Sequence, residues 1–112
     1  MLNNQIIITI KFLSTLKSVY GIETDTLSVE FGTKLSRLLE IVQNKYFSRN
    51  VASNTSQNDI NLITQDTSGN IKLADEVFVL VNDIDFKLFG KELELPLEDG
   101  DEIVLISSVH GG

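Results

Sequence analysis

Apolar and polar residues alternate from Gln5 to Phe12. Ile6, Ile8, Ile10 and Phe12 fall on one face of an extended chain and Gln5, Thr9 and Lys11 on the other, with Ile7 the one exception. A period of two marks a strand with one buried face, so a first strand is predicted here. Leu16 and Tyr20 then stand four apart ahead of Gly21, a spacing that fits a loop carrying a helical turn. A second strand is predicted over Thr26–Phe31, where Leu27, Val29 and Phe31 alternate with Ser28 and Glu30. The period then lengthens. Leu35, Leu38, Leu39, Val42 and Tyr46 recur at helical spacing with Lys34, Arg37, Glu40 and Gln43 opposite them, and Thr33 stands where an N-cap belongs. This predicts an amphipathic helix up to Phe47.

Residues 48–58 are rich in Ser and Asn and lack periodicity, so they read as a mobile surface loop. Ile60–Thr64 and Ile71–Leu73 read as two short strands or an extended excursion. Val77–Val81 is a continuous apolar run closed by Asn82-Asp83, the pattern of a strand covered on both faces. Pro96 argues against a central strand around it, and Glu98-Asp99-Gly100-Asp101 is a turn signal ahead of a last, buried strand. Two strands, one helix and further strands make an α+β chain. Its simplest packing lays the helix across one face of a single mixed sheet, which is the β-grasp arrangement. Residues 1–106 are assigned to that domain and 107–112 to a flexible tail.

Composition narrows the function. A chain of 112 residues is one domain with room for one core. Its net charge of −7 repels phosphate backbones and anionic lipid, so direct nucleic-acid binding is not expected. No apolar run is long enough for a membrane span and the first residues lack the features of a signal peptide, so the expected location is the cytoplasm. There is no cysteine, which rules out disulfides, thiolate metal sites and a cysteine nucleophile, and the single histidine, His110, sits where nothing rigid orients it. No catalytic site of its own and no bound metal or cofactor are expected.

The ending, Ser107-Ser108-Val109-His110-Gly111-Gly112, is the feature that asks for chemistry. Glycine has no Cβ and accepts whatever backbone angles an enclosing surface imposes, so a slim tail of this kind can thread a narrow channel. At the end of that channel a terminal Gly112 carboxylate could attack the α-phosphate of ATP, giving an acyl-adenylate whose carbonyl accepts sulfur or an amine. All catalytic groups would be the partner's. A frayed end is the bland alternative.

Val81–Gly112 resembles the end of the ubiquitin-related modifier family of sulfur carriers and is also similar to the small subunit of molybdopterin synthase. The residues that carry the likeness are Asn82-Asp83, Asp85-Phe86, Leu88, Leu97-Glu98-Asp99-Gly100-Asp101 and His110-Gly111-Gly112. His110 and the Asn-Asp-x-Asp-aromatic stretch lean towards the modifier, although Phe86 and Val109 stand where that family more often has tryptophan and leucine. Val109 and Leu95-Pro96-Leu97 lean towards the molybdopterin subunit. The resemblance implies activation by an ATP-using, ubiquitin-activating-type adenylyltransferase and sulfurtransferase, and conversion of the Gly112 carboxylate to a thiocarboxylate. It implies Gly111 as part of the carrying terminus, with His110 and Val109 as tail-recognition residues. It further implies sulfur delivery through a tRNA thiolation enzyme to wobble uridines, with attachment to target-protein lysines as a further use. On the alternative reading, the partner is the molybdopterin synthase large subunit. A third reading is a β-grasp interaction module that happens to end in glycine.

Two groups of residues are candidates for partner docking. Asp99, Asp101 and Glu102, with Glu92, Glu94 and Glu98, read either as a solvated turn or as an acidic rim that steers the tail towards a basic enzyme. Phe86 and Phe89 read either as an exposed apolar patch or as lids on the core.

Overall fold

The computed structural model describes residues 4–51 and 61–107, and for 47–51 the backbone alone. The first alternation becomes strand β1, Gln5–Leu13, with Ile6, Ile8, Ile10 and Phe12 all buried. Helix α1, Thr15–Tyr20, follows. It buries Leu16 and Tyr20 and stops at Gly21, which takes the left-handed conformation (φ 73°) and donates its N–H to the Lys17 carbonyl at 3.0 Å. Strand β2, Thr24–Glu30, returns antiparallel to β1, setting Val29 opposite Ile6 and Leu27 opposite Ile8. It ends earlier than the alternation predicts. Gly32 at φ 91° and the 3.1 Å bond from the Thr33 N–H to the Glu30 carbonyl close a tight turn. That turn leaves Phe31 73% exposed instead of inward.

Helix α2, Leu35–Val51, buries all five residues of the predicted stripe, Leu35, Leu38, Leu39, Val42 and Tyr46. Its start differs from the expectation. The Thr33 hydroxyl donates to the Glu30 carbonyl, so it does not cap the helix, and the Leu35 N–H is satisfied by the Leu95 carbonyl at 2.9 Å. Its end is also later than expected, since residues 48–51 continue the helix and no Gly or Pro stands there to break it. The rest of the predicted loop, residues 52–58, lies outside the described residues.

Strands β3 (Ile63–Gln65), β4 (Ile71–Leu73), β5 (Val77–Val81), β6 (Ile84–Asp85) and β7 (Glu102–Ser107) complete the chain. The main sheet has the order β2-β1-β7-β5-β6. Its centre is the parallel pair β1 and β7, with Ile10 opposite Ile103 and Phe12 opposite Leu105, and all other pairs are antiparallel. This is the predicted α+β architecture, a mixed sheet with one main helix on one face. A second sheet was not predicted. β3 and β4 form their own hairpin, and Gln43, expected on the polar side of α2, holds it there: its Oε1 accepts from the Leu62 and Ile63 N–H groups at 2.7 and 3.2 Å.

Between α2 and the sheet the rings of Phe12, Tyr20 and Tyr46 meet with centroids 5.3 to 5.7 Å apart. Such pairs add about 0.5–1.5 kcal/mol each beyond their burial. The Tyr46 hydroxyl donates to Asp25 on β2, and the same carboxylate accepts from Lys45 Nζ and the Thr26 N–H, both at 2.8 Å. Partial burial pushes the Asp25 carboxyl up, but the bonds from Lys45, Tyr46 and Thr26 outweigh it and hold the group below the usual carboxylate value.

The continuous run in β5 is not covered on both faces. Val77, Val79 and Val81 are buried, whereas Phe78 is 47% exposed, because only one layer packs on the sheet and an apolar run does not report how many layers cover it. Strand β7 takes in Ser107, which pairs with Val77 and is buried. The sheet therefore reaches one residue into the segment predicted as tail. Among the described residues no helix is long and apolar enough to cross a membrane.

Candidate functional site

Two different environments lie at the two ends of β7. At its start, polar side chains and backbone groups clasp the strand from both sides. Asn82 and Asp83 both have positive φ (52° and 72°) and turn the chain between β5 and β6, as a tight type I′ hairpin requires. From that turn the Asn82 amide donates to Asp101 Oδ1 at 2.9 Å, its Oδ1 accepts from the Glu102 N–H at 2.9 Å, and its own N–H donates to the Glu102 carbonyl at 2.8 Å. On the β1 side, Asp99 Oδ1 accepts from the Ile7 N–H at 2.7 Å and the Gly100 N–H donates to the Ile7 carbonyl at 2.8 Å. Asp101 Oδ2 accepts from the Glu98 N–H at 2.8 Å and closes the turn.

At the other end the open face of the sheet carries a bare apolar row. Leu13 on β1 and Phe78 on β5 both stand opposite Ile106 on β7, so the three side chains share one face, and Leu13 and Phe78 are exposed. Val104, which is buried, and Leu80, which is half-buried, extend the row by one step. Ser107, the last described residue, follows Ile106 immediately and stands at the edge of this row.

Residues 7–112 match the family model of Urm1 (Ubiquitin related modifier). The chain belongs to the ubiquitin-related modifier family. It is 35% identical over 80 residues to Ubiquitin-related modifier 1 of Schizosaccharomyces pombe, covering 71% of this chain and 69% of that protein. It is 61% identical over 36 residues to Ubiquitin-related modifier 1 of Laccaria bicolor, a match that spans 32% of this chain and only 29% of that one. The solution structure of Urm1 from Trypanosoma brucei superposes with a TM-score of 0.67 at 24% identity, over 99% of this chain and 100% of that one, which shows the shared fold.

In this ubiquitin-related modifier, Val109, His110, Gly111 and Gly112 lie outside the described residues, as do residues 52–58 of the predicted loop. Phe86 does not form a docking patch. It is 3% exposed and part of the core, while Phe89, at the other end of the short 3-10 helix Phe86–Phe89, keeps part of its ring in solvent. Asp85 caps that helix by accepting from the Lys87 N–H at 3.0 Å. Asp99 and Asp101 spend carboxylate oxygens on backbone N–H groups and on Asn82, and Glu102 pairs with Lys11 at 3.1 Å. All three stand at the start of β7, about 16 Å of strand from Ser107 at roughly 3.3 Å per residue. They are not brought together with the root of the tail. The residues that are brought there, Leu13, Phe78 and Ile106, were not singled out by sequence reasoning. Only Leu13 carries a signal, an apolar residue at an outward position of an alternating strand; Phe78 and Ile106 lie in continuous apolar runs, where sequence does not tell the two faces apart.

Proposed function

We propose that this ubiquitin-like modifier is a sulfur carrier whose Gly112 carboxylate is activated and loaded by a partner enzyme. A carboxylate oxygen attacks the α-phosphorus of ATP and pyrophosphate leaves. A hydrosulfide equivalent supplied by the partner then attacks the acyl carbon, AMP leaves, and the terminus becomes a thiocarboxylate. From there the sulfur passes to a tRNA wobble uridine through a thiolation enzyme, and attack by a lysine amine on the activated carbonyl gives a protein conjugate instead. ATP belongs to the partner's site. This chain contributes the carboxyl group, the slender Gly111-Gly112 and a surface that positions them.

The observation that carries the reading is the family match through Gly112, joined to the position of Ser107 beside an apolar row in which Leu13 and Phe78 are exposed. Five residues from Ser107 to Gly112 span at most about 18 Å. An active site that receives Gly112 must therefore lie close to Leu13, Phe78 and Ile106, and an enzyme seated on that row would bury them. The test is intact-mass analysis of the protein recovered from its own cells. Exchange of one terminal oxygen for sulfur in the wild type, and its loss when Gly112 is replaced by a bulky residue, is the expected result. A replaced terminus that still acquires sulfur would overturn the proposal.

A further inference from the structure

A second exposed apolar site lies at the opposite end of the sheet. Phe31 is the most exposed aromatic ring among the described residues. With Ile6, Pro96 and Leu97 it walls an open groove of about 510 Å³. The walls are held in place: the Gly32 turn orients Phe31, and the Leu97 N–H donates to the Thr33 carbonyl at 2.9 Å. Glu98 and Asp99 line the groove, Glu30 precedes Phe31, and no base lines it among the described residues. Asp99 is engaged with the Ile7 N–H. Lys34, which bridges to Pro96, is already held by Glu94 at 2.8 Å. The carboxylates of Glu30 and Glu98 have no ion-pair partner among the described residues, unlike those of Glu23, Glu40, Glu94, Glu102 and Asp25.

An apolar floor whose two charged lining residues, Glu98 and Asp99, are both acidic favours one chemistry, an aliphatic anchor flanked by cations. The tail of the same chain does not reach it. Ile6 lies seven residues before Leu13 on β1, about 23 Å of strand, whereas the tail extends no more than about 18 Å beyond Ser107. We propose that this groove docks a basic, extended segment of a partner protein, with an aliphatic side chain packed on Phe31 and arginine or lysine residues facing Glu30 and Glu98. Because the two sites are at opposite ends of the sheet, such a partner is bound while Gly112 is held by the activating enzyme.

The test is an NMR titration of the full chain with a heptapeptide whose central leucine is flanked on both sides by arginine and lysine. The expected shifts fall on the amides of Ile6, Phe31, Gly32 and Leu97 to Asp99. Phe31→Ser weakens binding at least tenfold with an unchanged urea midpoint, Phe31→Leu restores most of it, and Glu30→Gln with Glu98→Gln flattens the dependence on salt. Shifts centred elsewhere, or binding indifferent to Phe31→Ser, would overturn the proposal. So would two further outcomes: binding only after removal of Met1–Asn3, which would make the chain's own start the occupant, or self-association through Phe31, which would make it a second copy. Adenylation of Gly112 is unchanged by Phe31→Ser, so this failure and a failure of the carrier reading are separable.

Discussion

The start and the end of β7 are five residues apart and built on opposite principles. At the start, the side chains of Asn82, Asp99 and Asp101 tie the strand to β1 and to the β5–β6 turn by directional hydrogen bonds. At the end the open face carries apolar side chains instead, Leu13, Phe78 and Ile106 side by side, with Leu13 and Phe78 exposed. The comparison teaches that register and contact are separate tasks. A one-residue slip of β7 would exchange its two faces and move the point where the tail departs. Directional hydrogen bonds prevent that at one end, which leaves the other free to present a surface.

The comparison can be broken most severely at Asn82. Asn82→Ala removes a side chain that both donates and accepts, and places a Cβ residue without polar compensation at φ 52°. A loss of about 2–3 kcal/mol is expected, read from urea unfolding. Asn82→Gly relieves the backbone part alone and recovers roughly 1 kcal/mol of it. At the other end, Phe78→Ser changes stability by less than about 1 kcal/mol because the ring is half in solvent already. It is expected to slow pyrophosphate release with the activating enzyme about tenfold, the order of a significant interface contact. Equal effects of Phe78→Ser and Asn82→Ala on stability would erase the distinction between the two ends.

The smallest effect lies away from β7, at the bond between α2 and β2. Asp25→Asn should cost about 1 kcal/mol near neutral pH, where the charged carboxylate holds Lys45 and Tyr46. Since the folded carboxyl is held below its ordinary value, its contribution is complete above the unfolded value near 4 and is lost as pH falls through the lower, folded one. The stability difference between wild type and Asp25→Asn should therefore shrink as the pH falls below about 4. A constant difference would mean that shape, not charge, makes the contact.

Much of the fold was legible from spacing. The inward residues of β1, the buried stripe of α2 and the turn over residues 98–101 follow from periods of two and 3.6 and from glycine placed where φ is positive. Thr33 and Phe31 were misread for one reason. One tight turn decides both: Gly32 at positive φ ends the strand, the Thr33 hydroxyl and N–H turn back to the Glu30 carbonyl, and the helix start is left to the distant Leu95 carbonyl, which no local pattern contains. The residues that carry the family likeness turned out to do structural work. Asn82, Asp85, Asp99, Gly100 and Asp101 shape turns and clasps, so a motif suggestive of function marks, in its described part, the scaffold that aims the tail.

Local order was written in the chain: which segments are extended, which one is helical, that the ending is slim and carries no bulk, and that no thiol is present. Those features depend on residues near one another along the backbone, where steric preference and hydrophobic period act directly. Surface was decided only by folding. Leu13, Phe78 and Ile106 come from three strands, and Ile6, Phe31 and Pro96 from β1 and two turns, and each set meets only when the sheet sets its register. Exposure is a property of what fails to pack on a residue, and that is known only once every other element has found its place.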